Sequence, residues 1–364
     1  MGKLRNTVRN IPVPCRVIFL VFPVAVLLHI LFAVFPAFAE IYCRTVGAAF
    51  RSVLAWITNP FPVSVAEAML IFSPFVVVCL IVYIIKTQGD DVVTVQIISA
   101  LLSVATLVYT LFSFTFAAGF YVRDIGDFFG IERREITVDE LYKAALRTAE
   151  DVNKAYSELE VKGPTYTVMG MSYDTMNGHL INSFDVLYDK YEYPVKLHSR
   201  VKPIVLSEPM TYTYVSGVYT FFTGEANINV NYPDFIIPYT AAHELSHQRG
   251  VSREDEANFV AFLVCTGSDD PYIRYSGYLN VFQYMVDAVG YVSDDMAKEL
   301  YAKLDRGVLD ELVSYSEFFD KYRDTAASQI SESVNDAYLN VMSGTDSRSY
   351  GMVVDLVTLY YLGE

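Results

Sequence analysis

Three long apolar runs within the first 122 residues limit what this chain can fold into more than any other feature. Hydrocarbon offers no partner to a backbone N–H or C=O. A run of about 20 apolar residues in a bilayer therefore satisfies those groups internally, as a helix. The runs predict spans at about 17–38, 67–85 and 96–120. Only His29 interrupts the first, and it reads as a packed or interfacial histidine rather than a ligand. Ala37-Phe38-Ala39 has the shape of a signal-peptide cleavage site. The apolar run before it exceeds the ~7–15 residues of such a peptide, which favours a retained anchor. Residues 41–65, with Arg44, Arg51, Trp56, Pro60 and Pro62, read as a connection lying along the membrane surface.

Hydrophobic residues make up 53% of the 364, and the excess lies in this N-terminal part. Residues 1–122 carry 7 Lys/Arg against 4 Asp/Glu, whereas residues 123–364 carry 20 against 38. A slightly basic membrane region thus precedes a strongly acidic one. The lipid bilayer is the partner of the first; the acidity of the second argues against nucleic acid and against an anionic lipid surface. With three spans, Lys3, Arg5, Arg9, Arg16 and Lys86 fall on one side and Arg44, Arg51 and Arg123 on the other. The positive-inside bias then puts the N-terminus in the cytoplasm and residues 123–364 outside the cell membrane. Cys15, Cys43, Cys79 and Cys265 are scattered without a C-x-x-C pair, which argues against a cysteine zinc site. The pattern carries no sign of oligomeric state.

The expected fold class is α+β and mainly helical: three N-terminal transmembrane helices, then residues 123–267 with a small mixed sheet, then a helical C-terminal subdomain at 268–364. Apolar periodicity predicts helices at 138–161, capped by Thr137 or Asp139, and around 180–191. Residues 194–206 alternate like a strand, and 210–230 read as a hairpin punctuated by Gly217 and Gly224. Helical patterns follow at 272–289, 294–304, 309–323, 326–342 and 350–362.

The stretch 239–261 carries the chemistry. His243, Glu244 and His247 form H-E-x-x-H. Positions i and i+4 of a helix share a face, so both imidazoles reach one metal ion. Two imidazoles, a carboxylate and an open fourth position suit Zn²⁺. Glu244, beside the first His, is placed to take a proton from the attacking water. Pro238 opens the helix and Gly250 ends it. Ser252 reads as the cap of a second helix over 254–264, as a zincin needs to return a third ligand to its metal. Glu254 is the expected ligand, with Glu256 as the rival on another face. Asn258, one turn beyond Glu254, is the expected outer partner orienting an active-site His. His179 and His198 are left out, because two His and a Glu complete the set. The segment 224–230 alternates shortly before the motif. It reads either as an edge strand whose Ala226 and Asn227 align an extended peptide, or as core sheet. Tyr350 is the candidate oxyanion donor.

With these residues in hand, the chain resembles a family of bacterial membrane proteins, the domain of unknown function 3810. T-G-E-A-N-I-N at 223–229, H-E-L-S-H-Q-R-G at 243–250 and E-D-E-A-N-F at 254–259 carry the resemblance. It implies a multi-pass membrane protein with a zincin-like domain and supplies no substrate. E-D-E-A-N is also similar to the E-x-E-A-D segment of membrane gluzincin peptidases, whose first Glu binds zinc, which implies Glu254 as ligand. Asn258 stands where those enzymes have Asp, and only six residues separate His247 from Glu254, fewer than in most gluzincins. H-E-x-x-H-x-x-G is similar to metzincins too, but Arg253 occupies their third-ligand place.

The expectation is therefore a membrane-anchored, zinc-dependent metallopeptidase cutting a peptide or protein substrate at the extracellular face. The alternative is a catalytically inactive zincin-fold module that binds envelope peptide or glycan. Intramembrane proteolysis fits poorly, because residues 248–256 are too polar for hydrocarbon.

Overall fold

The structure, a computed structural model, describes residues 9–160, 166–323, 325 and 349–363. The helix expected at 326–342 lies outside them. The chain is mainly helical with one small mixed sheet, and it divides into two compact units. The first comprises Met1–Arg123 with Thr220–Glu225, and the second Asp124–Tyr219 with Ala226–Glu364.

In the first unit, α1 (Val13–Val34), α4 (Val65–Lys86) and α5 (Asp91–Thr115) are each long and apolar enough to cross a membrane. Ser64 caps α4 by accepting from the Glu67 N–H, and Asp90 caps α5 by accepting from those of Val92 and Val93. α1 starts and stops earlier than expected, because Pro36 begins a new helix. It packs on α5, and His29 bonds the hydroxyls of Tyr109 on that helix (2.9 Å) and of Tyr121 just beyond it (3.2 Å).

The stretch expected to be a surface connection forms two further helices, α2 (Pro36–Arg44) and α3 (Val46–Thr58). Arg51 is buried rather than displayed at the surface. It donates to the carbonyls of Thr115 (2.9 Å) and Cys43 (2.8 Å), at the C-terminal ends of α5 and α2, where helix dipoles favour a cation. Glu225, in the same unit, accepts from the first N–H groups of α4, Val65 (2.9 Å) and Ala66 (3.0 Å).

The second unit is built on one continuous core. Its helices are α6 (Ile125–Phe129), α7 (Val138–Ser157), α8 (Tyr173–Tyr191), α9 (Ser207–Thr211), α10 (Ile236–Gln248), α11 (Glu254–Thr266), α12 (Pro271–Val292), α13 (Asp294–Tyr301), α14 (Arg306–Phe319) and α15 (Ser349–Gly363). A capping box between Thr137 and Glu140 starts α7, and Leu141, Ala144, Ala145, Ala149 and Val152 form its buried stripe. The long helix α12 packs against α7, α10 and α11. Phe262 and Val264 share the core with Tyr275 and Phe282, so hydrophobic packing continues across residue 267.

The sheet holds β1 (Lys202–Pro203), β2 (Gly217–Thr220) and β3 (Glu225–Ile228) in the order β1-β3-β2. β1 runs parallel to β3, with Lys202 opposite Asn227 and Pro203 opposite Ile228. Gly224, at a φ of +70°, lets the β2–β3 turn close with its N–H on the Thr220 carbonyl at 2.8 Å. β3 is thus the middle strand and buried throughout, so of the two readings open for this segment it is core sheet and not an edge. Most of 194–206 is irregular. It is held by side chains, Asn177 accepting from the Val201 N–H (3.1 Å) and Arg249 donating to the Leu197 carbonyl.

Candidate metal centre

Helix α10 is buried on almost every side, a core helix rather than an amphipathic one. Pro238 sits within its first turn instead of opening it. The helix stops at Gly250, whose φ of +98° is one that L side chains rarely adopt. Two backbone bonds close the end, Gly250 N–H to His247 O (3.0 Å) and Val251 N–H to Ser246 O (3.1 Å). The chain reverses so tightly that α11 begins at Glu254. Its N-cap is Arg253, not Ser252, and no side chain caps it.

This turn carries Glu254 back to the paired histidines. His243 Nε2 and His247 Nε2 lie 3.0 Å apart, and Glu254 Oε2 is 3.2 Å from the first and 3.5 Å from the second. A tetrahedral zinc with bonds of ~2.0–2.2 Å spaces its ligand atoms about 3.3 Å apart. The three side chains are the one group of three or more His, Cys, Asp or Glu among the described residues that meets the spacing for a shared ion. His247 Nδ1 donates to the Val251 carbonyl at 2.7 Å, which selects the tautomer whose Nε2 lone pair faces the other two ligands. The Glu254 side chain is 35% exposed, against 7% for His247 and 14% for His243, so the cluster opens to solvent on the Glu254 side.

Without a metal, the cluster behaves as an ion-paired group. Burial works against a charged His247. The Glu254 charge and hydrogen bond, the Glu244 charge and the Val251 carbonyl outweigh burial and raise it to about 9. Glu254 is pulled far below the usual carboxylate range: burial opposes ionisation, but both histidines overcome it. Glu244 moves the other way, raised chiefly by burial, although the histidines and the Tyr219 N–H favour its ionised form. Two carboxylates within one site are thereby pushed apart, one held ionised and the other closer to protonation.

Glu244 faces β2. It accepts from the Tyr219 N–H, and a Cβ on Gly217 would stand 2.7 Å from its Oε1 and 2.8 Å from its Cγ. Only glycine lets the strand pass this close.

Other expected site residues have different jobs. Asn258 holds no imidazole: its backbone and side-chain carbonyls accept from the Tyr239 hydroxyl at 3.0 and 3.5 Å, and Val251 O orients His247 instead. Glu256 turns away from the histidines and accepts from the Ile125 N–H (3.0 Å) and from Arg253. Ala226 and Asn227 are buried in β3, where Asn227 Nδ2 donates to the Val218 carbonyl at 3.1 Å. His179 and His198 pair with Asp269 and Asp185, outside the cluster. Tyr350 lies in the first turn of α15, and its side chain is outside the described residues. Sequence reasoning missed the Val251 carbonyl and the Tyr219 N–H, since backbone groups leave no residue-type signature. Gly217 was visible only as a glycine in a hairpin.

The family model described as "Protein of unknown function (DUF3810)" matches residues 42–358, a span that includes every motif above. No curated protein and no solved structure matches the chain.

Proposed function

The chain belongs to the DUF3810 family, and we propose that it is a membrane-anchored zinc metallopeptidase. The observation that carries the reading is the convergence of His243 Nε2, His247 Nε2 and Glu254 Oε2 at zinc-ligand spacing, with the buried Glu244 carboxylate beside them. When bound, zinc acidifies a water molecule and polarises a carbonyl. The rest falls to the chain's own residues. His243, His247 and Glu254 hold the ion. Glu244 takes a proton at its carboxylate and passes it to the leaving amine, a role that its burial-raised proton affinity suits.

In this reading the strand that aligns the substrate is β2, not β3. β2 is one of the two outer strands, and its Gly217 and Tyr219 border Glu244. A strand at the side of a sheet is where an extended peptide can lie alongside. The positive-inside bias of the sequence, read with three apolar helices, supports an extracellular face for this chemistry.

The test is metal content followed by one substitution. Full-length protein purified in detergent should retain about one zinc per chain. Glu244→Gln should keep that zinc and lose cleavage of a peptide library. Well under one zinc per chain would favour a non-enzymatic binding module.

A further inference from the structure

Helix α11 opens with Glu254, Asp255 and Glu256, three carboxylates in successive positions. The helix N-terminus favours negative charge, but three adjacent acids repel one another, and Asp255 and Glu256 are both buried. No side chain caps this end. The turn that presents Glu254 is therefore held by something other than its own cap.

The segment at 124–133 holds it. Glu256 Oε1 accepts from the Ile125 N–H at 3.0 Å and from the Arg253 guanidinium. Asp255 Oδ2 accepts from Arg133 Nη2 at 3.0 Å, and Arg133 Nε pairs with Asp124 Oδ2 at 2.6 Å. Asp124 in turn accepts from the Gly126 N–H at 2.8 Å, capping the short helix that displays the Ile125 N–H. That helix closes on itself through Ile131 N–H to Gly126 O at 2.8 Å, with Gly130 left-handed at a φ of +73°. The two residues that follow the ligand are thus clamped to one compact knot, and Glu254 alone of the three acids faces the histidines.

Resting on the metallopeptidase reading, we infer that Asp255, Glu256 and Arg133 are positioning residues for the third zinc ligand. A carboxylate ligand has to be held within roughly 0.5 Å of its productive place. A rotation of α11 by one residue would exchange Glu254 for Asp255 at the centre, about 100° around the helix. The clamp prevents that exchange. Each carboxylate of the cluster has a cationic partner: Arg253 answers Glu256, and Arg133 is shared by Asp255 and Asp124.

The experiment compares zinc affinity with fold stability in full-length protein in detergent. Zinc dissociation constants would be measured by competition with a chromogenic chelator for wild type, Glu256→Gln, Arg133→Met and Arg133→Lys. Thermal melts of the zinc-free proteins would run alongside. The expected result is a 10–100-fold weaker zinc affinity for Glu256→Gln and Arg133→Met, with partial recovery in Arg133→Lys; the zinc-free melts stay cooperative, lowered in Arg133→Met because the buried Asp255 loses its cation. Should Glu256→Gln fail to fold, the partly exposed Arg133 pair decides alone. Wild-type zinc affinity in a folded Arg133→Met would overturn the clamp while leaving the metallopeptidase reading intact. Wild type that binds no zinc would remove both.

Discussion

The imidazole of His247 donates its Nδ1 hydrogen to the carbonyl of Val251 at 2.7 Å, four residues further along the chain. One hydrogen bond thus ties a histidine of the cluster to the turn that brings Glu254 back to it. That turn exists because Gly250 sits at a φ of +98°. An L side chain in such a conformation costs about 1–3 kcal/mol. Gly250→Ala should lower stability by about that amount, seen as a drop in the zinc-free melting midpoint. Because Val251 O and Glu254 both hang on this turn, zinc affinity should fall as well. A melt and a zinc affinity both equal to wild type would count against this coupling.

Gly217 offers a cleaner separation of chemistry from metal binding. A Cβ there would lie 2.6 Å from Thr240 Cγ2 and 2.7 Å from Glu244 Oε1, so both side chains have to give way. Overpacking of this kind costs about 1–3 kcal/mol. Gly217→Ala should displace the Glu244 carboxylate without touching His243, His247 or Glu254. Zinc stoichiometry should stay at the wild-type level while peptide turnover falls at least tenfold, an order-of-magnitude expectation for a misplaced general base. Full turnover in this variant would remove Glu244 from proton transfer.

Zinc uptake should depend on pH in a direction set by His247. Burial opposes its charge, but Glu254 and Glu244 outweigh burial and bring it to about 9, above the usual 6.5. The metal-free site therefore holds an imidazolium at neutral pH, and an entering cation has to expel that proton. Apparent affinity should rise by about tenfold per pH unit for each proton released, and level off near pH 9. The sign reverses for the stability of the metal-free fold. A raised His contributes fully below about 6.5, and its contribution is lost as pH climbs towards 9. Calorimetry in buffers of different ionisation enthalpy counts the protons. Uptake without proton release at pH 7 would contradict the ion-paired state of the empty cluster.

The parts of the site that were legible in the sequence are those with local geometry. His243, His247 and Glu254 follow from helical spacing plus a glycine stop, and the structure brings all three together. Misreadings came where the deciding partner is distant along the chain. Ser252 looked like a cap, yet α11 starts without one because Ile125 and Arg133 hold its first turn. Arg51 falls in a stretch that reads as a connection along the membrane surface, yet it is buried on the carbonyls of Cys43 and Thr115. Residues 194–206 alternate like a strand, but alternation reports two faces, not a pairing partner, and only Lys202–Pro203 joins the sheet. The same limit applies to β3, whose alternation says nothing about strand order.

Asn227 turns that last point into a measurement. Had β3 been an edge, its side chain would face a bound peptide, and its loss would raise KM. As the middle strand, it instead spends its amide on the Val218 carbonyl at 3.1 Å, joining β3 to the strand that borders Glu244. Removing one partner of a buried hydrogen bond costs about 1–3 kcal/mol, because the other group stays desolvated. Asn227→Ala should therefore lower the melting midpoint and leave KM for a peptide substrate within about twofold of wild type. Asn227→Asp should be worse, since an ionised carboxylate would face the lone pairs of the Val218 carbonyl in a buried setting. A variant with an unchanged melt and a KM raised tenfold or more would return Asn227 to the substrate and overturn the assignment of alignment to β2.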